Sequence, residues 1–419
     1  MLQAVRDSFR LPDLRKRILF TLFIVAVYRL GSFIPVPGVD VQKVQDLFKE
    51  VAQAGSIFGL LDVFAGGALS QFAIFALGIM PYITASIIMS LLQVVVPKLE
   101  QWSKEGEAGQ RKTTYWTRYL TLVLAFVQSI GLTVLFQSQL RLKFALFDRF
   151  LIVLTLVAGT VLIMWLGELV TQKGIGNGMS LLITVSILSR FPEALAQTIQ
   201  TSNPFIGLAV IVMILVIIAA IIVLDTGQRR IPVQYAKRVV GRKIYGGQST
   251  YIPIKINSAG VIPIIFASSV LLFPATLAQF FPGDFFKTLS QMFSTESVLY
   301  LSVFGIFIVF FTYFYTSIVF NPVDIADNIK KYGGFIPGVR PGGPTAAYLD
   351  RVISRLTLPG ALFLAVIALL PSALFSTLNV PFFKFFGGIS LLIIVGVSLE
   401  TMRQLETQLL MRHYEGFLK

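Results

Sequence analysis

The residue types able to do covalent, redox or metal chemistry are scarce in this chain, and they stand in the wrong places for it. Its 419 residues include no cysteine and a single histidine, His413 in a polar C-terminal stretch. Disulfide frameworks, iron–sulfur clusters and thiolate zinc sites are thereby excluded, and no pair of histidines remains to hold a catalytic metal. Ionisable side chains at the edges of apolar runs are Arg29, Arg118, Glu168 and Glu400. Proton relays and intramembrane acid pairs need such groups at depth, where their cost makes them functional when present; these four read instead as interfacial or snorkelling side chains. Gly174-Ile175-Gly176-Asn177-Gly178 has the glycine content of a phosphate loop. It lacks a preceding strand and joins two apolar runs, so it reads as a tight interhelical turn. No catalytic residue, metal or cofactor is expected.

The elements around these residues belong to a membrane protein. Hydrophobic residues make up 55% of the chain and charged ones 13%, against about a quarter charged in soluble domains, and the mean hydropathy is +0.78. Apolar runs at 18–36, 72–96, 115–136, 150–170, 206–224, 257–280, 297–320, 352–371 and 383–401 are long enough to span a bilayer,. A tenth, Met179 to Leu188, is short and stops before Arg190, Pro192 and Glu193. Charge decides whether it crosses. If it does, the loops on one face hold 26 lysines and arginines against 8 on the other; if it does not, the division is 14 against 20. The positive-inside rule therefore predicts ten spans with both termini cytoplasmic. Residues 1–17 are polar and basic and read as an interfacial amphipathic helix, and no cleavable signal peptide is expected. The net charge of +14 reflects mainly these cytoplasmic loops,.

Ten spans form two halves of five, 18–200 and 201–401, followed by a cytoplasmic tail at 402–419. An odd number of crossings per half makes the second half inverted relative to the first. Gly78-Ile79-Met80-Pro81-Tyr82-Ile83 and Gly260-Val261-Ile262-Pro263-Ile264-Ile265 repeat one pattern at an offset of 182 residues, in the second span of each half. The repeat predicts that Ile83 and Ile265 face each other across a pseudo-two-fold axis. Both spans are rich in small and hydroxylated residues, which suits either ordinary close packing or a seam that opens. Before span two, 57–71 is too short and polar to cross; with Gly66-Gly67 as a hinge it reads as a small helix folded back into the protein. The loop 225–257 carries Arg229, Arg230, Lys237, Arg238, Arg242, Lys243 and Lys255 against Asp225. It reads as a protruding hairpin with a cationic tip, suited to an acidic or RNA-bearing partner. A second basic loop, 321–355, lies on the same face.

Gly66-Gly67-Ala68-Leu69-Ser70, the run Phe75 to Ile83, Lys104-Glu105-Gly106-Glu107, Gly174 to Gly178 and Arg340-Pro341-Gly342, in this order, resemble the SecY family of Sec translocon channel subunits. Ser90 stands where the family has glutamine. The resemblance implies an all-α integral membrane protein whose two five-helix halves close like a clamshell on a pore, with a short plug helix. It assigns Ile79, Ile83, Met179, Ile183, Ile265 and Ile393 to a pore ring. The plug would be Leu60, Leu61, Asp62, Val63, Phe64, Gly66 and Gly67, and a lateral gate would include Thr84, Gln128, Ser269 and Phe273. The basic loop and Arg340 would engage the ribosome or the SecA motor. SecE and SecG subunits, signal sequences, translocating polypeptides and membrane lipid are the other implied partners, and the bacterial plasma membrane the implied location. The function implied is a passive protein-conducting channel. A secondary transporter explains ten spans and an inverted repeat equally well but lacks a charged midplane site.

Overall fold

A computed structural model describes residues 9, 11–53, 57–140, 145–201, 204–235, 238–240, 243–245, 249–280, 297–378, 382 and 386–416. Helices dominate, and their bounds follow the apolar runs. α1 (Pro12–Gly31) leads into α2 (Val41–Gln53) and the short α3 (Ile57–Phe64). Then come α4 (Met80–Val95), α5 (Pro97–Lys104), α6 (Glu107–Leu140), α7 (Leu146–Lys173), α8 (Gly178–Thr201) and α9 (Pro204–Thr226). After a β-structured excursion the chain continues with α10 (Ile262–Phe280), α11 (Val298–Val319), α12 (Pro322–Lys331), α13 (Gly343–Leu378) and α14 (Gly388–Gly416).

Among the described residues, seven helices, α6, α7, α8, α9, α11, α13 and α14, have the length and apolarity to cross a membrane. α4 and α10 are shorter apolar helices. α1 opens with Asp13, Arg15, Lys16 and Arg17, so its apolar part begins only afterwards; residues 12–17, expected in a separate interfacial helix, continue into this one. The ambiguous run at Met179 is resolved by α8, which passes through Arg190, Pro192 and Glu193 to reach 24 residues. α14 likewise runs on past the expected start of the tail.

The repeated hexamers share their local geometry. Gly78 and Gly260 adopt φ of +57° and +64°, a region open to glycine because it has no Cβ. Two residues later α4 and α10 begin, each with proline as its second residue, where the missing N–H costs no helical bond,.

Most apolar residues buried in the helical region form one continuous core running from α1 to α14. Within it α4 packs on α6 and α10, α10 on α11, and α14 on α8, α9 and α13. One charge pair ties α6 to α7: Arg118 donates through Nε and Nη2 to Glu168 Oε1 and Oε2 at 2.8 and 2.7 Å, with its guanidinium 5.4 Å from the Tyr115 ring. These two residues are thus bonded to each other and not merely snorkelling. A double-mutant cycle of Arg118→Ala and Glu168→Gln, read by thermal unfolding in detergent, is expected to give a coupling of about 2 kcal/mol, between the values for exposed and buried pairs. Simple additivity of the two losses would refute it.

The β-structured excursion folds as its own module. β1 (Gln228–Tyr235) and β4 (Ser249–Lys255) pair antiparallel from Gln228↔Lys255 to Gln234↔Ser249. β2 (Arg238–Val240) and β3 (Lys243–Tyr245) continue the hairpin as a second pair. The expected hairpin is therefore present. The two basic loops, read separately in the sequence, are joined: β5 (Gly334–Phe335) adds to β1. Ile231, Val233 and Ile254 pack with Ile329, Ile336, Leu349, Val352 and Ile353 in a second apolar core.

Candidate functional site

The fold-back segment is built by a short apolar helix that must stop. α3 ends at Phe64, and Gly66 and Gly67 follow with φ of +66° and +87°. The chain then turns through Phe72 and makes a small bridge with the segment after α1: Val36 N donates to Phe72 O, and Ile74 N to Ile34 O, both at 2.9 Å. Leu61, Val63 and Phe64 lie in or against the main core, as expected for a segment folded into the protein; the Leu60 side chain lies outside the described residues.

Polar contacts absent from the sequence expectation hold this segment. Arg190 of α8 donates through Nη2 to Asp62 Oδ2 at 2.6 Å and to Ser70 Oγ at 2.7 Å. Its Nη1 donates to Glu193 Oε2 at 2.8 Å. Arg29 of α1 donates to Gly66 O at 2.9 Å and Ser189 Oγ at 3.0 Å. Read from sequence, Arg29 was an interfacial side chain and Arg190 the end of a span; both point inward. A signal existed, since Asp62 is the one acid in 57–71 and Arg190 the one cation in α8, and two lone opposite charges among apolar residues need each other.

All six residues expected in a pore ring, Ile79, Ile83, Met179, Ile183, Ile265 and Ile393, belong to the main core with the segment's Val63 and Phe64. They come from α4, α8, α10, α14 and the turn before α4. At the expected seam, α10 meets α4 and α6. Thr84, Gln128 and Ser269 make no hydrogen bond to one another. Thr84 Oγ1 donates instead to Met80 O at 3.0 Å, four residues back in its own helix. Ser90 does the same to Ser86 O at 2.8 Å, and Ser268 donates to Ile265 O, three residues back, at 2.9 Å. The Ser269 hydroxyl is buried without a partner. The Phe273 side chain lies outside the described residues.

Gly174 to Gly178 is a turn in which the amides of Gly174, Ile175 and Gly178 are occupied, the first by Val170 O. Ile175 N donates to Thr21 Oγ1 and Gly178 N to Thr171 Oγ1, while Asn177 Oδ1 caps α8 by accepting from Met179 N and Ser180 N. That arrangement leaves these amides no free direction toward a phosphate. On the hairpin, Arg229 and Arg230 are exposed, and the Arg230 guanidinium sits 4.8 Å over the Tyr251 ring. Arg238 and Lys243 lie in β2 and β3; Lys237 and Arg242 lie outside the described residues. Arg340 is exposed beyond β5, in the same module. Among the described residues no group of three or more His, Cys, Asp or Glu side chains could hold a metal.

A multi-pass helical fold with an apolar centre and a short helix folded back among its spans defines a polytopic membrane protein. The sequence and structural comparisons specify which kind. The family model described as SecY matches residues 73–402. The chain is 49% identical over 442 residues to the protein translocase subunit SecY of Streptomyces galbus, and 46% over 445 residues to that of Mycobacterium tuberculosis, each alignment spanning 100% of both chains. This chain belongs to the SecY family. Its fold also matches a solved protein-conducting channel with a TM-score of 0.64 at 18% identity, covering 94% of this chain and 92% of that one. Sec61 from a canine ribosome-channel complex matches with a TM-score of 0.60 at 17% identity, over 94% and 92% of the two chains. The chain is the pore-forming channel subunit of a protein translocase, and the secondary-transporter reading is set aside.

Proposed function

We propose that polypeptides pass between two inverted five-helix halves, 18–200 and 201–401, through the constriction formed by Ile79, Ile83, Met179, Ile183, Ile265 and Ile393. The segment 57–71 closes the passage at rest. α1, α4 and α10 complete ten spans with both termini in the cytoplasm of a bacterial cell. The observation that supports this reading is that all six apolar residues, drawn from both halves, are buried in the core shared with the fold-back segment, on or next to helices that pack in pairs, α4 with α10 and α8 with α14. Aliphatic side chains seal a constriction by excluding water and yield without direction, so a chain of any sequence passes. α10 against α4 and α6 is the seam through which an apolar signal helix moves into lipid, driven by its own apolar area. The channel breaks no covalent bond; the push comes from SecA or from the ribosome docked on the hairpin and Arg340. SecE and SecG brace the two halves.

The chain has no cysteine, which makes disulfide mapping clean. Single cysteines at Ile83, Ile265 and the exposed Val212 of α9 are tested against a stalled, cysteine-bearing secretory precursor. Adducts are expected at 83 and 265 and not at 212. With transport verified by protease protection, their absence from both inner sites would refute the constriction.

A further inference from the structure

We infer that Arg190 is the positioning residue of the closed channel: a latch that grips the fold-back segment through Asp62 and Ser70 and keeps Glu193 as the partner that remains when the segment leaves. The inference rests on reading 57–71 as the plug.

The geometry divides the guanidinium in two. Nη2 serves the segment, bonding Asp62 Oδ2 and Ser70 Oγ at 2.6 and 2.7 Å, while Nη1 serves its own helix through Glu193 Oε2 at 2.8 Å. Asp62 also shapes the segment, since its Oδ1 accepts from Ser70 N at 2.7 Å and its backbone carbonyl from Gly67 N at 2.9 Å. The grip therefore requires the turn to be formed. Gly67 lies directly under the arginine, where an added Cβ would sit 2.7–2.9 Å from the guanidinium atoms. Arg29 holds the neighbouring carbonyl of Gly66. Arg29 and Arg190 both belong to the first half, so parting of the halves does not by itself break these bonds.

Burial sets the roles of the two acids. The Asp62 side chain is 11% exposed, that of Arg190 25% and that of Glu193 70%. Removing one member of a buried ion pair is costly chiefly because it strands the other charge. Here neither is stranded: Asp62 departs with the segment, and Arg190 retains a carboxylate already facing water. Glu193 competes for the same cation, so it weakens the latch while the segment is seated and receives the cation when it is not. The two acids, alike in charge and bound to one side chain, must then act in opposite directions.

That opposition is the test. The full-length chain is reconstituted in planar bilayers with potassium chloride on both sides, at a potential where the wild type opens for a measurable fraction of time. Asp62→Asn is expected to raise the open fraction roughly tenfold, the factor made by about 1.4 kcal/mol. Glu193→Gln is expected to lower it about twofold, in keeping with a solvated i,i+3 pair. Arg190→Gln should match Asp62→Asn, and Arg190→Lys, which keeps the charge and loses the fork, should fall between it and the wild type. Deleting 60–70 tests the plug reading separately. If the deletion raises the leak while Asp62→Asn and Glu193→Gln shift it in the same direction or not at all, the latch is wrong and the plug stands. If the deletion leaves the leak unchanged, the plug reading falls and the latch with it.

Discussion

Asparagine at Ile83, Ile265 and Ile393 is expected to leave the channel folded and make it leak. Ile393 is 0% exposed and Ile83 and Ile265 are each 8% exposed, all within the core that contains Val63 and Phe64. Each isoleucine contributes about 1.5–3 kcal/mol through burial, and each asparagine supplies four hydrogen-bonding positions that hold water where none was stable. A dewetted constriction blocks ions because crossing it strips them of hydration. Lowering that barrier by as little as about 1.4 kcal/mol speeds permeation about tenfold, and three substitutions at one constriction should exceed this. Resting conductance in lipid bilayers is the measurement; unchanged conductance in all three single variants would refute the seal. On the proposed arrangement the effect should exceed that of Asp62→Asn, because departure of the segment would leave the aliphatic constriction in place.

Gly159→Val is expected to have the largest effect on folding. α7 passes the turn after the fold-back segment so closely that a Cβ on Gly159 would lie 1.9 Å from the backbone oxygen of Ile74. A backbone carbonyl cannot swing aside as a side chain can. The substitution must push α7 away from the segment, with an overpacking cost of about 3 kcal/mol or more from a total stability of only about 5–15 kcal/mol. Ala158→Val adds the same β-branching one residue away, where the side chain is exposed. Yield and melting temperature of the detergent-solubilised chain should collapse for Gly159→Val and stay near wild type for Ala158→Val. Equal behaviour would mean that α7 and the segment are not held at this distance.

The spans were legible in the sequence because burial among helices or lipid demands apolar side chains along a whole segment, and length then separates spans from loops. α9 needs nothing more than its composition. α8 was harder: its last turns carry Arg190, Pro192 and Glu193, which look like a helix end until a partner inside the protein is known. The same blindness affected Arg29. A charge read in isolation is assigned to water, and only the fold shows that Gly66 O and Ser189 Oγ await Arg29, as Asp62 awaits Arg190. The union of the two basic loops was invisible for another reason, since β5 has two residues and no periodicity exists over so short a run. The seam illustrates the converse. Its small and hydroxylated residues were conspicuous, but their bonding was not, because a serine that back-bonds to its own helix and one that reaches a neighbour are the same letter.

That back-bonding bears on what the seam can admit. Thr84, Ser90 and Ser268 each complete their hydroxyl bond within the helix that carries them, so these three need no partner across the seam, whereas the buried Ser269 hydroxyl has none. On the proposed gating, a third helix inserted between the two sides would meet few polar groups that fix its rotational phase or depth. Such a helix would be judged mainly by its greasiness, which is how one doorway would serve guests that share no sequence.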